Sequence, residues 1–457
     1  MTDGHKRVVL VAPDFPPANM AGAHRPRLFA KHLGAFGWTP VVLTMHRHLI
    51  EGPLDPALER LLAPDLEVVR TGALPIKPIR VIGDAGLRTV GAHARRLARI
   101  ARRGDAQAVV LFGPPWFSFM LGPLMRRWYG LPYVVDYIDP WISDWTAAHA
   151  FPTKGWFYHR AAAAIEPAVL RSAAHVTAVS ESILTDLQAR YPWLEGDRLS
   201  AMPYGAEPDD LEAAGRLGLE PPDFRADGGD LTICYTGAVQ PAGGALVAAV
   251  LRALRVLRDS RSALGRRVKL RFYGTSNLTW GHGRHAVLPL AREHGVADLV
   301  SEIPERIPYL QAMAVLQACD VVLVMGSTDA YYHASKLYPA IVSGRPILAL
   351  CHAESSVRRV MAETDAGVCV TFHRAEELDG RVDEIARAIE SLAARPRRVP
   401  EAGVVAPFTA RASTAVLAGV LDRITARSAQ ARARGHAGSR LPMAEGEQER
   451  QVGRVGR

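Results

Sequence analysis

Short apolar runs rich in β-branched residues alternate with helix-like apolar spacing along both halves of the chain. Runs of this kind, bounded by glycine, proline or charge, predict strands that are covered on both faces. In the first half they lie at 7–12, 39–45, 66–70, 108–113, 133–138 and 175–180. In the second half they lie at 231–237, 268–274, 320–326, 346–352 and 367–372. The pattern predicts an α/β fold with two Rossmann-like, doubly wound domains that face a central cleft.

The chain is expected to divide at a loose stretch that follows "MPYGAEPDD". A last amphipathic pattern predicts a C-terminal helix, and the Ala/Arg/Gly/Glu-rich end that follows it has little apolar periodicity. We predict an N-terminal domain at 1–208, a connection at 209–229 and a C-terminal domain at 230–405. A final helix at 406–427 and a disordered basic tail at 428–457 would follow.

The segment 333–350, "HASKLYPAIVSGRPILAL", predicts a loop, a short helix and a buried strand in quick succession. Ser335 is a suitable N-cap, and Gly344 and Pro346 end the helix. A helix that begins just beyond a strand offers free N–H groups to a phosphate, and Lys336 adds a charge there. The alternative is an ordinary turn with a solvent-facing lysine.

The formal net charge of +9 and the pI near 9.5 indicate anionic partners such as phosphates, nucleic acid or acidic lipid. The four cysteines show no metal-ligand spacing and indicate buried free thiols in a reducing compartment. No metal site is evident. The longest uncharged span, 106–125, is broken by prolines and glycines, so it predicts a strand and a helix start rather than a membrane span.

Several segments, in order along the chain, resemble the GT-B glycosyltransferases, specifically family 4-like enzymes that use nucleotide sugars. In the first half these are "PDFPPANMAGAHRPRLFAKHLGAFGWTPVVLT", "VVDYIDPW", "VTAVSESILTDL" and "MPYGAEPDD". In the second half they are "CYTGAV", "LRFYGTSN" and "SKLYPAIVSGRPILAL". The resemblance implies the GT-B fold, a nucleotide-sugar donor held by the C-terminal domain, and catalysis without a bound metal or cofactor and with retention of anomeric configuration.

The resemblance also implies which residues hold the donor. The loop and helix at 335–338 would grip the diphosphate, and glycines after the strands would let backbone approach it. The chain lacks the basic residues that relatives carry after "CYTGAV", and Arg306 or Arg345 is a candidate replacement. The donor-side residues are therefore Gly22, Gly237, Gly274, Arg306, Ser335, Lys336, Leu337 and Tyr338.

Two positions depart from the family pattern. Many relatives carry a glutamate where this chain has Pro339, and another where it has Tyr332. Proline is sterically acceptable in a first helical turn, so the fold tolerates the change while the ribose contact differs.

The other wall of the cleft offers candidate catalytic and acceptor-side residues. Asp136 and Asp139 follow a buried strand, where function collects in open sheets, and either carboxylate would orient or deprotonate an acceptor hydroxyl. Trp141 is a candidate wall for a sugar pocket. His24 and Arg25 are candidates for contacts with donor phosphate or acceptor hydroxyls. The alternatives are helix caps, loop braces and ordinary surface residues.

The densest basic region lies at 76–104. Leu87, Val90, Leu97 and Ile100 share one helical face there, and arginines crowd the rest, as in helices that lie on anionic lipid. The alternative is a solvated arginine face. No sequence pattern for nucleic-acid binding supports a nucleic-acid partner.

These observations predict a cytoplasmic glycosyltransferase, attached peripherally to the inner membrane face, that moves a sugar from a nucleotide-diphosphate sugar to a glycan, lipid-linked or small-molecule acceptor, as in polysaccharide biosynthesis. The alternatives are another GT-B enzyme, such as a sugar-nucleotide epimerase, and a non-catalytic GT-B scaffold.

Overall fold

The computed structural model describes residues 6–76, 82–223, 229–239, 243–260, 263–276, 282–327, 334–398 and 400–438. Tyr332, the tail from 439 onward and part of the 76–104 region therefore lie outside the described residues.

The N-terminal domain is built on a parallel sheet of seven strands. They are β1 Lys6–Val11, β2 Trp38–Met45, β3 Glu67–Thr71, β4 Ala108–Gly113, β5 Tyr133–Tyr137, β6 His175–Ala178 and β7 Leu199–Ala201. Their order in the sheet is β3-β2-β1-β4-β5-β6-β7. The order reverses between β1 and β4, which marks the edge where ligands bind in open α/β sheets.

Helices cover both faces of this sheet. They are α1 Ala21–His32, α2 Ala85–Arg103, α3 Leu121–Tyr129, α4 Asp144–Ala147, α5 Lys154–Ser172 and α6 Glu181–Arg190. Alternate residues along the strands face opposite layers: Val9 packs with α2, α3 and α5, whereas Val8 packs with α1. This doubly covered sheet explains why the central strands carry continuous apolar runs, such as Val8–Val11 in β1 and Val109–Phe112 in β4.

The C-terminal domain repeats the plan with six parallel strands. They are β8 Leu231–Thr236, β9 Val268–Tyr273, β10 Val300–Ile303, β11 Val321–Met325, β12 Ile347–His352 and β13 Gly367–Phe372, in the order β10-β9-β8-β11-β12-β13. The helices are α7 Pro208–Arg216, α8 Gly244–Asp259, α9 Ala263–Arg267, α10 Leu288–Glu293, α11 Tyr309–Ala318, α12 Leu337–Ser343, α13 Ser356–Thr364, α14 Val382–Ala393, α15 Ala402–Val405 and α16 Ala410–Gly438.

Two segments cross between the domains, and they pair with each other. Ala206 N–H donates to Phe408 O at 2.7 Å, and Ala410 N–H donates to Ala206 O at 2.7 Å. Helix α16 then packs on the N-terminal sheet through Leu417, Val420 and neighbouring residues. The last helix therefore returns to the first domain.

The expected α/β architecture is confirmed, with differences at the linker and the end. Helix α7 occupies the first part of the 209–229 connection and packs into the C-terminal core through Leu211 and Ala214. The prediction of disorder from 428 is wrong for 428–438, because α16 continues to Gly438. Strands β7 and β10 were not predicted; they are short and partly polar.

Candidate functional site

A cleft with an empty volume of about 1390 Å³, open to solvent at its mouth, lies between the two domains. Loops that follow β1, β8, β9, β10 and β11 line it. These loops leave the carboxyl ends of parallel strands, so both sheets direct the same edge at the cleft. The expected cleft between two doubly wound domains is therefore present.

Lys336 and Gly237 meet on the C-terminal wall of the cleft. Gly237 follows β8 with φ +151°, and the Lys336 side chain lies directly over it. A Cβ built on Gly237 would lie 2.7 Å from Lys336 Nζ and would also collide with Cε. Glycine is thus required for this lysine to lie across the strand end, and the lysine lines the cleft.

The Lys336 ammonium has no hydrogen-bond or ion-pair partner among the described side chains, as the contacts of that part of the chain show. The residue is exposed to the cleft, yet the walls crowd it. This partial desolvation, with the nearby Arg306 charge, lowers the pKa of Lys336 to about 8. An anion bound here would stabilise the ammonium and raise the pKa of Lys336 again.

Helix α12 begins one residue later than predicted. Lys336, not Ser335, occupies the N-cap position, and no side chain caps the helix. Gly344 ends the helix at φ +71°, as predicted. Ser335 and Pro339 both line the cleft. Pro339 lies in the first turn of α12, where proline is sterically acceptable.

Leu337 and Tyr338 do not face the donor. Both side chains are buried, and the Tyr338 ring lies 6.3 Å from that of Phe408 in the C-terminal core. The Leu337 N–H donates to Ala334 O at 3.0 Å and is already used. The prediction that these two residues bind the donor is therefore wrong, because the helix turns them inward.

Arg306 connects the two walls of the cleft. Its Nη1 donates to Asn19 O at 2.7 Å, in the loop that follows β1. Gly274 (φ +78°) lies beside it, and a Cβ built on Gly274 would lie 3.7 Å from Arg306 Cα. Both residues line the cleft, as the donor-side prediction requires. Burial lowers the pKa of Arg306.

His24 lies on the opposite wall, in the first turn of α1. Its Nε2 is 3.4 Å from Asn19 Oδ1, while Nδ1 is buried without a hydrogen-bond partner. Burial and the Arg27 charge lower the pKa of His24 to about 3. The imidazole is therefore neutral in the cleft and keeps one unused nitrogen.

Tyr309 packs against His24, with ring centroids 4.4 Å apart. Its N–H donates to Asp55 Oδ2 and its hydroxyl to Asp210 Oδ2, both at 2.8 Å. This tyrosine from α11 therefore joins the C-terminal wall to the N-terminal domain. Together with Arg306 it fixes the width of the cleft.

Gly22 serves packing rather than ligand approach. A Cβ at this position would lie 2.8 Å from Pro114 O in the loop after β4. Gly22 therefore lets α1 approach that loop, and its neighbours Ala21 and His24 line the cleft instead.

Asp136 and Arg25 form a buried ion pair. Arg25 Nε lies 2.5 Å from Asp136 Oδ2, and Nη2 lies 3.0 Å from Oδ1. Thr177 Oγ1 also donates to Asp136 at 2.6 Å. Neither charged side chain has more than 1% of its surface exposed. The predicted contact with substrate is therefore wrong for both residues: the pair braces α1 against the sheet.

Trp141 is likewise part of the core. Its ring makes edge contacts with Phe117 and Phe119, with centroids 5.3 and 5.8 Å away, and it is fully buried. It does not wall a sugar pocket, so the prediction for Trp141 is wrong.

Asp139 is exposed just beyond β5, and its backbone oxygen accepts a hydrogen bond from Trp116 Nε1 at 3.1 Å. Partial desolvation of its carboxyl raises the pKa of Asp139. It lies at the correct edge of the sheet, although the described residues that line the cleft do not include it.

The apolar face of α2 is not free to enter a membrane. Leu97 and Ile100 are buried, and Leu87 and Val90 pack against the same N-terminal core. The amphipathic pattern of this helix thus reflects packing on the sheet. The arginines on the outer face remain exposed.

Two kinds of feature are absent from the described residues. No group of three or more His, Cys, Asp or Glu side chains is arranged to hold a metal ion in the part of the chain that the structure describes. Within those same residues, no helix combines the length and apolar character needed to cross a bilayer.

Residues 8–205 match the model of the glycosyl transferase 4-like domain. The N-terminal domain is thus similar to the domain that this family model describes. No curated protein matches the chain significantly.

Solved structures establish the fold of the whole chain as GT-B. A glycosyltransferase from Rickettsia africae is 14% identical with a TM-score of 0.58, over 92% of this chain and 99% of that one. Anabaena HepE in complex with UDP and glucose is 14% identical with a TM-score of 0.58, over 92% and 100%. A putative UDP-N-acetylglucosamine 2-epimerase from Listeria monocytogenes is 14% identical with a TM-score of 0.50, over 90% and 94%.

Sequence reasoning missed Asn19 and Tyr309 in this GT-B cleft. Asn19 lies in the loop after β1, and Tyr309 begins the helix after β10. Their position after strand ends is a usable signal, since the loops after β1, β8, β9, β10 and β11 all reach the cleft. Their pairing across the two domains is not visible in the sequence.

Proposed function

We propose that the protein is a glycosyltransferase that moves a sugar from a nucleotide-diphosphate sugar to a glycan, lipid-linked or small-molecule acceptor. The observation that carries this proposal is the unpaired Lys336 ammonium, which lies over Gly237 at the carboxyl end of β8. A cation with a lowered pKa and no protein partner suits the departing diphosphate, because that anion would supply the counter-charge that the partly desolvated ammonium lacks.

The roles of individual residues follow from this placement. We assign Lys336, Arg306 and the backbone at Gly237, Gly274 and Ser335 to the donor. His24 faces the transferred sugar with a neutral ring. Asp139 is proposed to orient or deprotonate the acceptor hydroxyl, a role that needs substrate to draw it toward the cleft.

The remaining features of the proposal rest on the family. Retention of configuration and catalysis without a metal are proposed because the N-terminal domain matches the glycosyl transferase 4-like family. The loss of two family glutamates, at Tyr332 and Pro339, is proposed to alter the ribose contact rather than abolish activity. A cytoplasmic location is proposed from the four free cysteines.

The test is nucleotide release from a panel of UDP-, GDP- and dTDP-sugars, with and without lipid-linked and soluble acceptors. Release that requires an acceptor, together with a glycosylated product, supports transfer. A changed configuration at C2 of the sugar without transfer would identify an epimerase instead. Tight binding without any turnover would identify a scaffold, and either result would overturn the proposal.

A further inference from the structure

The layer formed by α2, α3 and α5 carries charge of one sign on its outer face. The three helices contain a single acidic residue, Glu166. Its carboxylate is buried and accepts hydrogen bonds from Tyr137 and Tyr191 at 3.0 and 2.8 Å. The exposed side chains of the layer include Arg99, Arg102, Arg103, Arg126, Arg127 and Arg160. Such a face attracts polyanions of any kind.

An aromatic tip stands at one end of this layer. It consists of Phe151, Trp156 and Phe157, whose ring centroids are 5.0 to 6.1 Å apart. Phe151 and Phe157 keep 68% and 54% of their surface exposed, which is rare for phenylalanine. The Arg160 guanidinium lies 5.9 Å from the centroid of the Trp156 ring. Lys154, which comes between Phe151 and Trp156 in the sequence, is also exposed.

The tip lies on the cleft side of the layer. Helices that follow parallel strands begin at the carboxyl edge of the sheet, and the tip lies at the start of α5. The far end of the layer holds Trp128, 64% exposed, and Arg102, whose guanidinium lies 5.9 Å from the Tyr129 ring. A helix of 19 residues such as α5 separates the two ends by roughly 28 Å.

We propose that this outer face docks onto an anionic lipid bilayer, with the aromatic tip in the headgroup region and the arginines on the lipid phosphates. Exposed apolar rings flanked by cations, with no exposed acid on the helices, are the combination that interfacial binding needs. The apolar face of α2 has no part in it, because that face is buried. The contact would set the mouth of the cleft beside the bilayer.

A nucleic acid fits this face less well. Its phosphates would pair with the arginines, but bases bind by stacking on open ring faces. The rings of the tip meet one another at 61° to 88°, so they pack edge to face rather than forming a platform. The docking proposal does not depend on the proposed transferase activity, because its test measures binding alone.

The test is flotation of the full-length protein with vesicles of phosphatidylcholine, with and without about 30% phosphatidylglycerol. Anionic vesicles are expected to carry the protein upward, and neutral vesicles are not. Phe151→Ser with Phe157→Ser is expected to lower the partition coefficient at least about tenfold, because two exposed rings leave the interface. Arg99→Glu with Arg102→Glu is expected to do the same, and raised salt should weaken wild-type binding.

Val416→Ser is the matched control, because Val416 is 41% exposed on α16, on the other face of the N-terminal sheet. It should float like the wild type, and circular dichroism should show all variants folded. Failure of the wild type to float would overturn the proposal, and binding of a single-stranded oligonucleotide by that same face would replace it. If the variant with both phenylalanines replaced floats as well as the wild type, the aromatic tip has no role in bilayer binding.

Discussion

At the scale of single residues, Lys336 is the group on which donor binding is expected to depend. Lys336→Ala removes the ammonium that would face the diphosphate while leaving the cleft open. We expect the Kd for UDP, measured by calorimetry, to rise about tenfold or more, as for loss of a charge-assisted contact. Lys154→Ala, at an exposed lysine that does not line the cleft, should leave the Kd unchanged. Equal affinity of Lys336→Ala and wild type would contradict the assignment.

The lowered pKa of Lys336 makes a second prediction. In the empty cleft this pKa is about 8, so the amine loses its proton as the pH rises through that value. A bound diphosphate stabilises the ammonium and raises its pKa, so binding takes up a proton in this range. Affinity for UDP should be full below pH 8 and fall by up to about tenfold per pH unit above it. Lys336→Arg should remove the pH dependence, because arginine stays charged.

Asp136 and Asp139 are three residues apart, yet their substitution should have opposite effects. Asp136→Asn leaves the buried Arg25 charge without its partner, so we expect a loss of about 3–5 kcal/mol of folding stability in urea denaturation. Asp139→Asn, at an exposed site, should change stability by less than about 0.5 kcal/mol. It should instead lower turnover by about tenfold or more, with little change in donor affinity. Unchanged turnover would make Asp139 a structural residue.

At the scale of elements, strands were easier to predict than side-chain environments. Strands covered on both faces, such as β4 and β12, read as continuous apolar runs that the sequence shows directly. The short edge strands β7 and β10 carry polar residues and gave no such signal. The place of Lys336 on the cleft wall was predictable from its position at a helix start beyond a strand. Asp136 was not, because its partner Arg25 lies 111 residues away and the ion pair decides its burial.

The amphipathic pattern of α2 shows the same limit. Apolar spacing identifies a helix with one buried face, but it does not say whether the face meets a sheet or a bilayer. In this chain the sheet provides the partner. The same ambiguity hid the role of the final helix, whose apolar face covers the first domain rather than the second.

Helix α16 is expected to be essential to the N-terminal core. Leu421 is fully buried between α16 and the sheet, and Asp422 accepts a hydrogen bond from Trp38 Nε1 at 3.2 Å. Leu421→Ala should lower the free energy of unfolding by about 2–5 kcal/mol. Val416→Ala on the exposed side of the same helix should cost less than about 0.5 kcal/mol beyond any propensity effect. Similar denaturation midpoints for the two variants would show that α16 is not part of that core.

At the scale of the whole molecule, the relative position of the two domains depends on a few contacts. The two crossing segments pair at Ala206, and Tyr309 and Arg306 link the cleft walls by hydrogen bonds to Asp55 and Asn19. These contacts determine how far Lys336 lies from His24, and hence whether one ligand reaches both walls. The links between the domains are thus a few hydrogen bonds, whereas each domain is held together by a large apolar core.

The crossing point supplies the last prediction. Gly205 has φ +74°, and a Cβ there would lie 2.5 Å from Ala410 N and 2.6 Å from Thr409 O. Gly205→Ala therefore combines left-handed strain with a clash against backbone, so the two crossing segments must separate. Gly218→Ala is the control, because it shares the positive φ of +58° but meets nothing within 4 Å. The control should cost about 1–2 kcal/mol, the strain of alanine in this region. Gly205→Ala should cost distinctly more and, if it folds, should enlarge the radius of gyration in solution scattering and weaken UDP binding. Equal costs for the two variants, with unchanged scattering, would show that the crossing tolerates separation and does not hold the cleft in shape.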